Sequence, residues 1–175
     1  MFTLSHQLIN LPIISLQTGQ VVGTTGLSIV NPDQLLLMGF FVNSGRGKRQ
    51  SPVLVTGDLR QITTHEVIID SEDDFSDIDE IVRLKPIIER HFNLNGLSVV
   101  NESGTKLGRV EEYNVDLDTY LVQKFYVKPA LFKNFFTDSF IVDRSQVIDV
   151  TNKQLVVRDA SVKKSLLAAQ PVTTK

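Results

Sequence analysis

The chain contains no cysteine and only three histidines in 175 residues. Without thiols there is no disulfide framework, no thiolate nucleophile and no thiolate metal site, which fits a reducing compartment. His6, His65 and His91 lie far apart in the chain, with none of the i, i+4 spacing of a helical metal pair. An excess of one charge is missing too. The formal net charge is −2 and the pI near 5.9, so there is no general pull toward nucleic acid or anionic lipid, and only a local patch would act on either. The opening stretch MFTLSHQLINLPII has neither the basic n-region nor the long apolar h-region of a secretory signal. The longest apolar run, LLLMGFFV at residues 35–42, falls far short of the roughly 20 residues a spanning helix needs. These absences predict a cytoplasmic protein with no integral membrane segment.

Catalytic signatures are missing as well. G-x-S-x-G and a dinucleotide fingerprint do not occur, and GK at Gly47 and Lys48 is followed by Arg49 where a Walker A loop needs Ser or Thr. Glu111 and Glu112 are adjacent on a predicted strand and point to opposite faces, so they do not form a carboxylate pair. Asp116 and Asp118 flank a turn and are expected to close it through side-chain to backbone hydrogen bonds. The expectation is a non-enzymatic protein with no catalytic residue, no metal and no cofactor.

What is present is a repeat. TGQVVGTTGLSIVNPDQLLLMGFFV, from Thr18, overlays SGTKLGRVEEYNVDLDTYLVQKFYV, from Ser103, without a gap. At this offset of 85, Gly19 meets Gly104, Gly23 meets Gly108, Phe40 meets Phe125 and Val42 meets Val127. Further on the offset becomes 88, pairing Ile62 with Val150 and VII at 67–69 with LVV at 155–157, which a three-residue indel in the intervening loop explains. Two copies in register over a long stretch indicate a duplicated domain, because a solenoid needs more and shorter repeats.

Within each copy, short runs rich in Val, Ile, Leu and Phe alternate with TG, NPD, NSGRG and TGD turns. The prediction is all-β, with about six strands per copy, each copy a small barrel whose closure removes exposed edges. Gly19 and Gly104 suit the reversing turn. Gly23 and Gly108, inside strands, mark a bulge, a corner or a close backbone approach. The expected domains are a first barrel at 1–71, an acidic, partly helical linker at 72–92, a second barrel at 93–165 and a flexible tail at 166–175.

The pattern G-x-x-[VL]-G, followed by a hydrophobic strand, a turn with Asp or Asn and a strand ending in aromatic and aliphatic residues, resembles the PRC-barrel family. The second copy is the better match, and DRSQVIDVTNKQLVV is similar to that family's last hairpin. The resemblance implies two PRC-type barrels in tandem, related in fold to the cytoplasmic domain of the reaction-centre H subunit and to the C-terminal domain of the ribosome maturation factor. What those relatives share is docking on another macromolecule.

Three segments depart from the repeat or invite contact. Residues 71–92 hold seven acidic and three basic side chains; Ser71 or Ser76 is a candidate cap, Ile78, Ile81, Val82 and Leu84 are candidate contacts, and Pro86 should break or restart a helix. SGRGKRQ places Arg46, Lys48 and Arg49 on one loop, and the matching KPALFKNFFTDS places Leu131, Phe132, Phe135 and Phe136 on the other. If nothing covers them, these four form an apolar patch, the better candidate for binding a protein partner. The function expected is therefore an adaptor or assembly platform. The alternative is a ribosome-associated or RNA-binding factor that uses Arg46, Lys48 and Arg49 with Lys106 and Arg109.

Overall fold

A computed structural model of the chain describes residues 1–44, 52–130 and 139–158. It is an all-β architecture, 51% strand and 15% helix, with a curled sheet and no long helix. The chain divides into two compact units: residues 1–92 with 114–122, and residues 93–113 with 123–175.

In the first unit, β1 (Phe2–Leu4) and a short 3-10 turn, Ser5–Leu8, lead into β2 (Pro12–Ser15), β3 (Val21–Asn31), β4 (Leu36–Asn43), β5 (Pro52–Val55), β6 (Gln61–Ile62) and β7 (Val67–Ile69). β8 (Ser76–Asp77) and α1 (Lys85–Glu89) follow. The pairing order is β6, β7, β2, β3, β4, with β5 on β4 and β8 on β5. β2 pairs antiparallel with β3 and parallel with β7.

The second unit uses β9 (Ser98–Asn101), β10 (Lys106–Asp116), β11 (Leu121–Pro129), β12 (Phe140–Asp143), β13 (Val147–Val150) and β14 (Gln154–Val157), in the order β13, β14, β9, β10, β11, β12. The strand registers restate those of the first unit. Gly39 pairs with Val55, and Lys124 with Asp143, residues 85 and 88 further on. Ile13 faces Val67 in a parallel pair, as Val99 faces Leu155. Gly23 sits opposite Ile13 and Gly108 opposite Val99. The offset between β2 and β9 is therefore 86 (13 to 99), because the reversing turn after β2 is one residue longer than the one after β9.

Each core follows from strand alternation, interrupted in β4 by the register shift against β3 that lets Leu37 and Phe40, three residues apart, both be buried. Leu37, Phe40 and Val42 on β4 point inward, and so do Val122, Phe125 and Val127 at the same repeat positions on β11. Gly19 (φ 65°) and Gly104 (φ 79°) occupy the reversing turns in the left-handed region, where a side chain is strained. Gly23 and Gly108 stand beside register shifts of their strand pairs, against the backbone or side chains of the next strand.

The first unit also contains the tip of the β10–β11 hairpin, residues 114–122. There β1 pairs with β10, matching Thr3 with Val115, and β4 meets β11 through Leu36 and Leu121. The Leu37 N–H donates to Tyr120 O at 2.8 Å, and the Val122 N–H donates to Leu35 O at 2.9 Å. The two bonds exchange under the repeat, since Leu37 and Val122 are 85 apart and so are Leu35 and Tyr120. Both tips are built alike. Asn31 Oδ1 accepts from Asp33 N–H and Asp116 Oδ1 from Asp118 N–H, and Leu35 (φ 50°) and Tyr120 (φ 59°) both take the left-handed conformation. The cost of two side chains in that region, about 1 kcal/mol or more each, is offset by the burial of Leu35 and by the paired backbone groups.

Residues 71–92 do more than connect. Ser71 caps the 3-10 turn Glu72–Asp74 by accepting from the Asp73 N–H at 3.1 Å, while Ser76 lies in β8 and caps nothing. Asp77 precedes a second turn, Ile78–Glu80, and Pro86 stands in the first turn of α1, where its missing N–H costs nothing. Ile78, Ile81, Ile87 and Ile88 pack with buried Leu84 against Ile29, Val53 and Val55. Val82 is 83% exposed and makes no part of that cluster, contrary to its expected contact role, because it falls on the outward side of the chain between turn and helix.

Candidate functional site

The two loops singled out from sequence are counterparts in the fold, since one joins β4 to β5 and the other joins β11 to β12. Arg46, Lys48 and Arg49 fall in residues 45–51, and Leu131, Phe132, Phe135 and Phe136 in 131–138, outside the described residues; the tail at 166–175 lies outside them too. The frame that carries the loops is described. Val53, Leu54 and Val55 are buried on β5, as are Phe140 and Val142 on β12, so each loop leaves from and returns to a packed strand pair.

Other candidate residues are placed directly. Lys106 and Arg109 are exposed on β10, and Arg109 Nη1 donates to Gly96 O at 3.2 Å. Glu111 is exposed and its Oε2 accepts from Ser139 Oγ at 3.1 Å, whereas Glu112 is half-buried and its Oε1 accepts from the Tyr113 N–H at 2.8 Å. Asp116 Oδ2 also accepts from Thr119 Oγ1 at 3.0 Å. The Met1 α-ammonium donates to Asp116 Oδ1 at 3.0 Å and to Asp118 Oδ2, a contact the sequence does not signal. The hydrogen bond from that ammonium is the main cause that holds the Asp116 carboxyl below the usual carboxylate range. His6 lies in the Ser5–Leu8 turn, His65 between β6 and β7, and His91 after α1 in the left-handed conformation at φ 48°. Among the described residues, no group of three His, Cys, Asp or Glu side chains is placed to hold a metal ion. Among them, too, no helix is long and apolar enough to cross a membrane.

One exposed ion pair sets a pH test. Arg60 donates from Nε and Nη2 to both oxygens of Asp70, at 2.7 and 2.6 Å, which joins the start of β6 to the end of β7. Hydrogen bonding to Arg60 is the main reason the Asp70 carboxyl is held below its ordinary value. A carboxylate depressed in the folded state contributes stability above its unfolded pKa of about 3.9, and loses it as pH falls through the folded value. Arg60→Gln is expected to move the Asp70 titration up toward that unfolded value in a carboxyl NMR titration. An unmoved midpoint would show that the pair does not form in solution.

Exposed apolar side chains are the signal that sequence reasoning missed. Leu16 and Val21 flank the reversing turn of the first unit, where Glu102 and Lys106 stand in the second. Ile141, on β12, is 43% exposed, whereas Val53 at the same repeat position on β5 is 0% exposed. Alternation alone marks both as strand residues with a side chain on the outer face; what differs is whether another segment covers them.

No curated protein matches the chain. The better-matching second copy seen in the sequence falls where a family match is found, with α1 at its leading edge and β14 near its end. A PRC-barrel domain thus occupies residues 87–163.

Proposed function

We propose that the chain is a non-enzymatic adaptor: two PRC-type barrels in tandem that dock a protein partner in the cytoplasm, chiefly through Leu131, Phe132, Phe135 and Phe136. The observation that carries this reading is the duplication of register, in which β4 with β5 and β11 with β12 frame loops of opposite character at equivalent places. The sequence invests the loop between the first pair in cations and the loop between the second in aromatics. Aromatic anchors are the side chains that dominate docking energetics, with about 2 kcal/mol or more lost on truncating a central one.

The test is affinity purification of the full chain from its native cell, repeated with Phe132→Ser plus Phe135→Ser and, separately, with Arg46→Ala plus Arg49→Ala. Loss of the captured protein with the aromatic variant, and little response to salt, supports the adaptor. RNA binding through Arg46, Lys48 and Arg49 would instead make log K fall with log salt at a slope of about −2, roughly 0.7 for each of three phosphate contacts on a single strand. That slope, cut to about −0.7 by the arginine variant, which leaves Lys48, and indifferent to the aromatic one, would replace this reading with the ribosome or RNA alternative.

A further inference from the structure

Near the start of the second unit, Leu94, Asn95, Gly96 and Leu97 form a turn closed by the Leu97 N–H on Leu94 O at 3.2 Å. Gly96 holds φ 86° at its third place, a conformation that type II turns reserve for glycine. Two further bonds fasten the turn to β10: the Gly96 N–H donates to Val110 O at 2.7 Å, and the Val110 N–H donates to Leu97 O at 2.9 Å. Arg109 Nη1 adds a third, to Gly96 O. The first unit builds the same corner 86 residues earlier from Leu8, Ile9, Asn10 and Leu11. There Asn10, left-handed at φ 63°, donates to Thr25 O at 2.7 Å, and the Thr25 N–H donates to Leu11 O at 2.9 Å. The corners differ in chemistry at one place: exposed Asn95, followed by glycine, carries a side-chain amide where Ile9 carries an aliphatic group.

An asparagine followed by glycine is open to attack by its own backbone, because no Cβ shields the glycine nitrogen. We propose that Asn95 is a self-modification site, a deamidation site that the fold holds shut through the bond from Gly96 to Val110. In the step itself the Gly96 nitrogen gives its proton to hydroxide and bonds to Asn95 Cγ, and the bond from Cγ to Nδ2 breaks with release of ammonia. Water then opens the succinimide ring, at Cγ to leave aspartate or at the backbone carbonyl carbon to leave isoaspartate. One water is consumed and one ammonia lost overall, with no oxidant or reductant. While the Gly96 N–H donates to Val110 O, its proton faces a carbonyl and is withheld from base, and the ladder fixes the nitrogen so that it cannot turn onto Cγ. The reactive state is therefore the one in which this corner opens. Isoaspartate adds a methylene to the backbone, which sets Gly96 out of register with Val110 and keeps the corner from reclosing as before. Ile9 has no amide to lose, so the same corner of the first unit lacks the site.

The test incubates the full chain at mildly alkaline pH, native and in denaturing urea, and follows aspartate and isoaspartate at Asn95 by peptide mass spectrometry, with hydrogen exchange at the Gly96 amide measured alongside. Conversion is expected in urea, and in the native chain it should be slower by about a hundredfold or more, the same factor by which Gly96 exchange is protected, since both need one opening. Arg109→Gln removes the side-chain bond to Gly96 O and leaves the core intact; it is expected to speed native conversion and Gly96 exchange together, about threefold or more, as loss of one hydrogen bond does. Native conversion as fast as that in urea overturns the proposal, and so does an Asn95 that stays unconverted in urea. Conversion and exchange that change by different factors in Arg109→Gln would also overturn it, because the bond to Val110 would then not be the latch.

Discussion

Phe125→Ala is expected to cost about 3–5 kcal/mol, the range for removing a fully buried aromatic ring and leaving its cavity. The ring is 0% exposed at the centre of β11, and Phe40 holds the same place on β4 with the same burial. Domains of ordinary size hold only about 5–15 kcal/mol in all, so either loss removes a large share of it. Urea denaturation of Phe40→Ala, Phe125→Ala and the surface control Ile148→Ala measures this directly. The phenylalanine variants should shift the midpoint strongly and the control hardly at all, at unchanged slope. If Phe125→Ala cost no more than Ile148→Ala, the inward face assigned to β11 would be wrong.

The second large effect lies at a position with no side chain. A Cβ on Gly108 would stand 2.2 Å from Lys128 O and 2.8 Å from Val127 Cγ1, so β10 and β11 would have to separate to admit it. Backbone on the receiving side cannot swing away as a flexible side-chain end can, and Gly108→Ala is expected to cost about 3 kcal/mol or more. Its repeat partner behaves differently. A Cβ on Gly23 would meet Val42 Cγ1 at 3.1 Å and Asn43 O at 3.2 Å, contacts that shift by a few tenths of an ångström relieve. Alanine in place of strand glycine also gains roughly 0.5–1 kcal/mol of chain entropy, so Gly23→Ala should be close to neutral. Thermal melts of the two variants should differ by several degrees or more. Equal destabilisation would mean that the two glycines serve one and the same turn requirement and that close approach is not the cause.

Those two positions show how much of the fold self-comparison of the sequence can reveal. The offsets of 85 and 88 recovered β3 with β10, β4 with β11 and β7 with β14, since each pair keeps residues of the same apolar kind at its inward positions. Turn chemistry was legible for a similar reason: the left-handed conformation at Gly19 and Gly104 favours glycine, and both copies have it there. The same conformation at Leu35 and Tyr120 was not legible, because neither residue type advertises it and only the pairing of the hairpin tips holds it in place. Of the candidate docking residues the sequence supplied composition and loop position, while the difference between buried Val53 and exposed Ile141 was invisible to it.

The sequence by itself determined the strand alternation, the duplication and the turns, all of which rest on neighbours a few residues apart or on the copy's own pattern. Tertiary structure alone decided the roles of the unrepeated segments. FTL at residues 2–4 becomes a strand because it finds the edge of β10 at Asn114, Val115 and Asp116, and Ser76 with Asp77 becomes one because β5 offers an edge. Neither segment has a β-rich run long enough to declare itself. A strand of two or three residues is stabilised by the partner whose hydrogen-bonding groups it satisfies, and that partner stands more than a hundred residues away in the first case.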